Sequence, residues 1–421
     1  MRKEIKTRNY FRALVGALLP ALCGLCGGLR AQEVLVPPPT NPETPAALQP
    51  LQTSEMDVFV PAGAAPSPQE TQPFRYKFLT LRPHPYYQAL YGDGILVAPG
   101  QPVNTVIQEV APGFLLDIGD HWNLDYTPTW TFYSNDRFKN TLDHAVKLTG
   151  GTTYEDWIFK LSQSYTDSSS PDVETATQTS TKTYSTAIDA SYVINSKMSL
   201  DLNANQNFVS ADQFQSYREW STLDWLNYQF WPRLNVAVGV GLGYDDVDMS
   251  PDMLFERYQG RINWRVTDKI GFQFHGGVED RQVLNSNTGD IINPVFGCGI
   301  QYQPFQNTKL SLNADRAVAQ SYLQNEVTES TTINGDLNQQ LLKRLNLDLQ
   351  GGYQNTKYID SISGTTANRT DNYYFVNTRL SWSFLKRGTI AVFFQISDNS
   401  SSQSGFGFSS HQSGFEIGYR Y

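Results

Sequence analysis

The sequence has little cysteine. The 421 residues contain only Cys23, Cys26 and Cys298, and we expect the first two to be removed with an N-terminal export signal. The single thiol that remains cannot form an intramolecular disulfide. The fold must therefore be held by packing and hydrogen bonds alone.

Long hydrophobic runs are also scarce. Beyond Leu29, no apolar stretch approaches the ~20 residues that a membrane-spanning helix requires. Aromatic residues are nevertheless plentiful, at 13 %, and Ser, Thr, Asn, Gln and Gly are abundant. This composition is typical of a β protein with one apolar and one polar face, and it argues against a large α/β enzyme core.

The chain lacks an excess of basic residues. Its formal net charge is −9, and removal of the basic N-terminal segment would bring it to roughly −14. Nucleic acid is therefore not an expected partner.

The N-terminus has the layout of a secretory signal. A basic region ending at Arg12 precedes an apolar stretch over residues 13–29 and a small-residue site near Ala31. The sequence predicts a signal peptide over residues 1–31. The alternative is a membrane anchor, but the stretch is short for a span and contains Pro20.

A proline-rich segment follows. Nine prolines occur between residues 37 and 68, which favours an extended or disordered periplasmic leader over residues 32–73.

Segments of alternating apolar and polar residues dominate the rest of the chain. In residues 123–132, even positions are apolar or aromatic, apart from Pro128, and odd positions are Asn, Asp and Thr. About seventeen such segments indicate strands. They start near Val106, Trp122, Leu142, Trp157, Tyr184, Met198, Ser216, Leu234, Glu256, Ile270, Asn293, Lys309, Thr328, Leu345, Tyr373, Thr389 and Ser413. A weaker candidate lies between Phe74 and Val97.

The connections between these segments alternate in length. Short turns are expected at 195–197, 231–233, 267–269, 306–307, 343–344 and 386–388, and long polar loops at 167–182, 245–253, 285–292, 357–372 and 398–412. Short turns on one side and long loops on the other are typical of an outer-membrane barrel.

The last segment of the chain alternates up to a terminal aromatic residue, Tyr421. In lipid every backbone polar group needs a partner, so the strands must close into a ring. Both chain ends are expected on one side, which requires an even number of strands. The sequence therefore predicts an all-β protein whose residues 74–421 form a transmembrane antiparallel up-and-down β-barrel of about 18 strands, or of 16 as the alternative.

A family resemblance supports this interpretation. The motifs Val110-Ala111-Pro112-Gly113-Phe114 and Asn123-Leu124-Asp125-Tyr126-Thr127-Pro128, followed by alternating hairpins to an aromatic end, resemble the β-barrel porin 2 family. The resemblance covers roughly residues 75–421. It implies a channel in the cell outer membrane, and some similar proteins are associated with exopolysaccharide export. It brings no catalytic residues. Pro83 and Pro85 depart from the expected first strand.

Alternation also assigns the faces of the strands. A charge that faces lipid costs about 2–4 kcal/mol for Arg or Lys at mid-depth, so the charged residues are expected to point inward. The predicted pore-lining residues are Arg257, Arg261, Arg265, His275, Glu279, Arg379, Asp125, Asp189, Asp201, Asp348 and Glu416. The three arginines of the strand that begins near Glu256 would form a cationic ladder facing acids across the pore. The alternative is a solvated wall with local ion pairs.

Other polar groups give weaker signals. Asp245, Asp246, Asp248 and Asp252 share one predicted loop and could hold Ca²⁺, but their spacing matches no EF-hand and favours a solvated loop. The five histidines are scattered without the paired spacing of a zinc site. We expect no metal, no cofactor and no enzymatic activity.

The expected function is passive diffusion of small hydrophilic solutes through an outer-membrane porin-like channel. The alternatives are a conduit for exopolysaccharide export and a structural or adhesive barrel plugged by its loops. Expected partners are outer-membrane lipid and lipopolysaccharide, the barrel assembly machinery that reads the strand ending at Tyr421, and the solute or polysaccharide. An oligomer is an open alternative.

Overall fold

The computed structural model of the protein describes residues 74–284, 291–360 and 369–420. The predicted signal peptide and proline-rich leader lie outside the described residues. Nineteen strands are assigned. They are β1 (Phe74–Tyr76), β2 (Leu79–Leu96), β3 (Pro102–Ile118), β4 (Trp122–Tyr133), β5 (Thr141–Tyr154), β6 (Trp157–Ser168), β7 (Thr181–Asn195), β8 (Met198–Ala211), β9 (Tyr217–Trp231), β10 (Leu234–Val247), β11 (Met253–Thr267), β12 (Ile270–Val283), β13 (Ile291–Phe305), β14 (Thr308–Gln320), β15 (Glu326–Leu342), β16 (Leu345–Asp360), β17 (Arg369–Ser383), β18 (Gly388–Ser401) and β19 (Phe408–Tyr419).

Strands β2 to β19 form one closed antiparallel ring. Each pairs with its neighbour in sequence, and β19 closes the ring on β2, with Gly418 opposite Tyr86 and His411 opposite Asp93. Closure pairs the two edges of the sheet with each other, except where β2 extends past β19. The predicted up-and-down barrel of eighteen strands is confirmed.

The two ends of the barrel differ in their connections. We call one the turn end, because its connections, such as 155–156, 196–197 and 232–233, have two to four residues. The other is the loop end, with connections such as 134–140, 169–180 and 402–407. Strand β2 starts and β19 finishes at the turn end, as the even strand count requires.

The predicted long loops are shorter in the structure, which corrects their expected bounds. The segment predicted as a loop at 357–372 contains the last residues of β16 and the first of β17, and the one at 398–412 is bridged by pairs such as Asn399 with Phe408. Polar residues continue the ladder there, because backbone pairing does not require apolar side chains.

The first barrel strand accommodates both prolines that the alternation pattern could not place. Pro83 and Pro85 lie within β2 on the turn-end side of Tyr86, where β2 extends past the end of β19. A proline cannot donate to a ladder, and an edge segment tolerates the loss. The short strand β1 folds back to pair with Leu79–Leu81 on this edge.

The outer surface of the ring is apolar. On β10, Val238, Val240 and Leu242 are 65 %, 52 % and 53 % exposed. On β9, the exposed Trp220 and Phe230 are ten residues apart, about 26 Å along the barrel axis for a tilted strand. This matches the ~25 Å apolar band of a transmembrane barrel. Trp122, Trp157, Trp231, Trp264 and Trp382 lie near the turn end, and Trp130 and Trp220 near the loop end.

Val238 offers a direct test of this surface. Replacing Val238 by arginine is expected to lower the free energy of unfolding in a lipid bilayer by about 2–4 kcal/mol, because a mid-strand charge would face hydrocarbon. Urea unfolding of the protein in liposomes measures this change. The control Val238→Leu should stay within about 0.5 kcal/mol of the wild type. Equal stability of the two variants would contradict an exterior in contact with lipid.

The described residues contain no helix that is long and apolar enough to cross a membrane.

Candidate functional site

The interior of the barrel is packed toward the loop end and opens toward the turn end. Along β11 the inward-facing Phe255 and Arg257 are buried, Arg261 is half-buried and Arg265 is exposed. Strand β9 follows the same gradient, from the buried Tyr217 to the half-buried Gln229. In the part of the barrel that the structure describes, the interior therefore has the form of a cup that is packed at the loop end and open at the turn end.

Apolar side chains pack across part of the loop end. The connection 169–180 folds into the barrel, and we call it the inward loop. Its Val173 and Ala176 are buried against Leu96, Tyr373 and Phe408, which come from β2, β17 and β19. A second cluster packs Phe138 of the connection 134–140 against Leu90, Ile95, Ile107 and Phe393. Such packing excludes water from between the apolar side chains of each cluster.

Arg369 fixes the inward loop from the opposite wall of the barrel. Its Nη1 donates to the carbonyl of Glu174 at 2.7 Å, and its Nη2 donates to the carbonyl of Val173 at 3.4 Å. Asp371 accepts from the Nε of Arg369 at 2.9 Å, and the guanidinium lies between the rings of Tyr358 and Phe406, 4.4 and 3.8 Å from their centroids. The side chain is 1 % exposed. This buried arginine therefore has both charge compensation and stacking partners.

Glu174 holds the inward loop at a second point. Its Oε1 accepts from the hydroxyl of Ser321 at 2.5 Å and from the backbone N–H of Tyr322 at 2.8 Å. Both donors belong to the connection between β14 and β15. The inward loop thus spans the interior from β6–β7 to β14–β15 and β17.

Burial raises the pKa values of the two acids in the inward loop. The pKa of Glu174 rises to about 8, because the side chain is desolvated and lies near Asp172. Desolvation raises the pKa of Asp172 to about 6, although backbone N–H groups and Arg369 oppose the shift. In the folded loop both acids therefore hold protons at pH values where a released, solvated loop would be ionised.

Release of the inward loop is expected as the pH rises from 5 to 9. Docking of the inward loop is strongest below the ordinary acid pKa values, because both carboxyls are then protonated in the docked and in the released loop. It weakens by up to about 1.4 kcal/mol per pH unit for each carboxyl, up to about pH 6 for Asp172 and about pH 8 for Glu174, because below those values only the released state loses the proton. Limited proteolysis of the loop as a function of pH measures the release. Glu174→Gln should flatten the profile between pH 6 and 8, and an unchanged profile in that variant would contradict this cause.

A second buried network lies on β10, β11 and β12. Arg281 is 0 % exposed, its Nη1 donates to Asp245 Oδ2 at 2.8 Å, and its Nε is bonded to Glu279. Glu279 also accepts from the Nε of Arg257 at 2.5 Å. The ring of Phe255 contacts both guanidinium groups, at 4.6 Å from Arg281 and 4.9 Å from Arg257. The charges are therefore paired with each other rather than displayed to solvent.

One glycine makes this arrangement possible. Gly243 lies opposite Phe255 on β10, and a Cβ at this position would be 2.0 Å from the Phe255 ring. The ring could not lie against both arginines if any other residue stood there.

Two arginines of the predicted ladder, Arg257 and Arg261, have partners within the barrel wall. Arg257 binds Glu279 on the adjacent β12. The Nη2 of Arg261 donates to the side-chain oxygen of Asn227 at 2.8 Å and lies 3.6 Å from Asp201, and its guanidinium stacks on Trp225. Arg265 is exposed near the turn end. Local ion pairs of this kind match the alternative interpretation that the sequence left open, and the pore-lining role stays a prediction.

The remaining predicted site residues fall into separate places. Arg379 joins Asp348, at 3.3 Å, to Glu416 in one group near the turn end. Asp125 lies 3.4 Å from His84, and Asp189 accepts from the side chain of Asn203 at 2.6 Å. His275 is buried beside Arg261 on β11.

The four aspartates of the predicted acidic loop do not converge. Asp245 lies inside the barrel with Arg281, whereas Asp246 pairs with the exposed Arg218 at 3.0 Å. Asp252 accepts from the hydroxyl of Tyr244 at 2.9 Å. No group of three or more potential metal ligands is found among the described residues, so the Ca²⁺ alternative has no support there.

A cavity of ≈ 470 Å³ opens at the turn end. Its walls come from β2, β15 to β19 and the connection 384–387, and they include Tyr86, Asn346 and Arg379. It lies on the open side of the cup.

Sequence reasoning missed the inward loop and Arg369. Both lie in segments that were predicted as exposed loops. Their contacts join residues 195 positions apart, and no local pattern encodes such a distance. The signal in the sequence is weak and consists of the apolar Val173 and Ala176 within an otherwise polar stretch.

The closed ring, the apolar exterior and the polar interior define a transmembrane β-barrel. No family model matches the chain, so membership of the β-barrel porin 2 family stays a prediction. No curated protein matches it either.

Solved structures with a similar barrel are outer-membrane proteins of low sequence identity. OccK2 (OpdF) of Pseudomonas aeruginosa, solved in complex with glucuronate, has a TM-score of 0.46 at 12 % identity, over 81 % of this chain and 98 % of that one. OccAB4 of Acinetobacter baumannii has a TM-score of 0.45 at 11 % identity, over 81 % of this chain and 98 % of its own. The siderophore receptor PirA of Pseudomonas aeruginosa has a TM-score of 0.43 at 8 % identity, over 84 % of this chain and 81 % of its own. At these values the likeness carries no information about the solute.

Proposed function

We propose that the protein is an outer-membrane channel for small hydrophilic solutes and that the inward loop is its gate. The observation that carries the proposal is the interior of the cup. Charged and amide side chains line it from the turn-end cavity to the buried network of Arg281 near the loop end, and the inward loop packs across the interior beside that network. A barrel of eighteen strands is wide enough to enclose an aqueous lumen once such a loop moves aside.

The proposed location in the outer membrane rests on the apolar exterior of the barrel. A bacterial protein with an apolar barrel surface and aromatic residues near both ends fits the outer membrane, to which the predicted signal peptide would export it. The turn end would then face the periplasm. The proposal includes recognition of the last strand by the assembly machinery, since β19 is the strand that closes the ring on β2. It assigns no catalytic reaction to the barrel.

Planar-bilayer recording of the purified protein tests the channel. We expect insertion followed by discrete openings, whose frequency increases at alkaline pH as the inward loop is released. Liposome swelling with sugars of increasing size would then give the size limit of the open state. A protein that inserts but never conducts at any pH would contradict the proposal.

A plugged structural barrel is the second candidate. The packed apolar clusters at the loop end favour it, because they close the interior without any ligand. A variant with a released inward loop separates the two functions, since a permanent plug would stay closed. Polysaccharide export stays a prediction from the resemblance, and loss of the polymer on deletion of the gene would test it.

A further inference from the structure

We propose that two copies of this chain associate in the membrane through the outer surface of β8 and β9. Polar side chains cross the apolar exterior of the barrel there, at mid-depth. We call them the polar belt, which consists of Gln163 on β6, Thr186 on β7, Gln206 on β8, and Thr222 and Asp224 on β9. The inference concerns assembly and does not depend on conduction or on the gate.

The register of the strands places the polar belt on the outer surface. Gln206 lies opposite Trp220, which is exposed. The same row of the ladder continues from Gln206 through Thr186 to Gln163. Residues that lie directly opposite each other in an antiparallel ladder share a face. Asp224 is four residues from Trp220 on β9, so its side chain also points outward.

The polar belt lies within the apolar band. Asp224 is seven residues from the turn-end residue of β9, and Gln206 is eight residues from that of β8, so the two side chains lie at nearly the same depth. Asp224 also lies between Trp220 and Phe230, whose separation matches the thickness of the band. Hydrocarbon at this depth supplies no hydrogen-bond partner. An ionisable side chain there therefore favours a protein neighbour over lipid.

Two members of the polar belt have unused hydrogen-bonding capacity. The Oδ1 of Asp224 accepts from the backbone N–H of Asn203 at 3.0 Å, where the assigned pairing of β8 with β9 is interrupted. Within the described residues, the Oδ2 of Asp224 accepts no hydrogen bond and the side-chain amide of Gln206 makes none. The hydroxyl of Thr186, by contrast, donates to Gln163 at 2.8 Å. Adjacent strands thus offer one donor and one acceptor to a partner.

A two-fold axis along the membrane normal would satisfy both groups. Such an axis keeps each residue at its depth and exchanges the two sides of the contact. When the axis passes between β8 and β9, Gln206 of each copy faces Asp224 of the other copy. The contact then forms two identical hydrogen bonds from an amide to a carboxyl group, a kind of bond that stabilises association within membranes. The surface supplies both halves of this pair, so the occupant that it specifies is a second copy of this chain.

Other parts of the exterior do not offer this combination. On β10, Val240 and Leu242 lie six and eight residues from the turn end, and Val278 lies eight residues from the turn end of β12. All three are exposed apolar side chains at the depth of the polar belt. Gln108 on β3 is an outward amide, but its oxygen already accepts from the hydroxyl of Tyr87 at 3.3 Å. The proposed contact is therefore centred on β8 and β9.

Sedimentation equilibrium of the purified full-length protein in density-matched detergent micelles tests the proposal. We expect a reversible dimer. Gln206→Leu should raise its dissociation constant about tenfold or more, because Asp224 of each copy loses its donor. Since the amide of Gln206 makes no hydrogen bond within the described chain, the barrel should fold as before. The matched control Gln108→Leu removes an outward amide from β3 and should leave the dissociation constant unchanged.

Cross-linking in liposomes tests the two-fold geometry. Chains with Gln206→Cys and chains with Asp224→Cys, both with the native cysteines replaced by alanine, are mixed and treated with a lipid-soluble oxidant. A mixed dimer has one cysteine pair and keeps one intact pair of Gln206 with Asp224, so we expect a disulfide between positions 206 and 224. Chains with Val278→Cys are the control and should not cross-link to either. A monomeric wild type, a trimer, equal effects of the two leucine variants, or equally rapid cross-linking to position 278 would overturn the inference.

Discussion

Replacement of Arg281 by methionine is expected to lower the free energy of unfolding by about 3–5 kcal/mol. The methionine fills much of the same volume, so the loss is electrostatic. Asp245 and Glu279 would keep their buried positions but lose the cation between them, and each is 0 % exposed. An uncompensated buried charge is among the costliest defects in a folded protein.

Equilibrium unfolding in urea, followed by tryptophan fluorescence in detergent micelles, measures this loss. The matched control is Arg218→Met, which breaks an arginine–aspartate pair of similar length, 3.0 Å to Asp246, at an exposed position. Solvent screens that pair, so the control should lose less than about 1 kcal/mol. An Arg281→Met variant that is as stable as the control would show that the interior is solvated at this level.

Replacement of Arg369 by alanine is expected to raise the open probability of the channel about tenfold or more. The inward loop would lose two hydrogen bonds from a charged donor to the carbonyls of Val173 and Glu174, each worth roughly 1.5–3 kcal/mol. A shift of about 1.4 kcal/mol already changes the ratio of closed to open states tenfold. Single-channel recording at pH 7 measures the open probability.

The control for this variant removes an arginine that does not touch the inward loop. Arg316 is bonded to Glu329 on the neighbouring strand, and Arg316→Ala should leave the open probability unchanged. If Arg369→Ala inserts normally and stays as closed as the wild type, the inward loop is a plug rather than a gate.

Much of the fold could be predicted from the sequence, because a barrel strand exposes one face to lipid and the other to polar groups. This alternation predicted the exact first residue of four strands, which begin at Trp122, Met198, Leu234 and Ile270. The predicted strand bounds at the loop end of the barrel were less accurate. Residues 369–372 are polar on both faces of the strand, and only the backbone ladder with β16 shows that they belong to β17.

The interior could be predicted only in part. Alternation predicts which side chains share a face, but it carries no information about which of them are in contact. The grouping of Arg379 with Asp348 and Glu416 depends on the register of β16 and β17 and on the closure of the ring. The contacts of the inward loop with Arg369 depend on the path of a connection, which has no periodic pattern to read.

The most direct test of the account is the alkylation rate of three single-cysteine variants by a membrane-impermeant maleimide in liposomes. The variants are Asn346→Cys, Leu347→Cys and Ser397→Cys, made in a chain whose native cysteines are replaced by alanine. Asn346 lines the turn-end cavity, Leu347 is its neighbour on the lipid-facing side of β16, and Ser397 is fully buried in the inner wall near the loop end. The account predicts rapid labelling at position 346 and protection at 347 and 397. Labelling of position 397 as fast as position 346, or any labelling of 347 by the aqueous reagent, would contradict it.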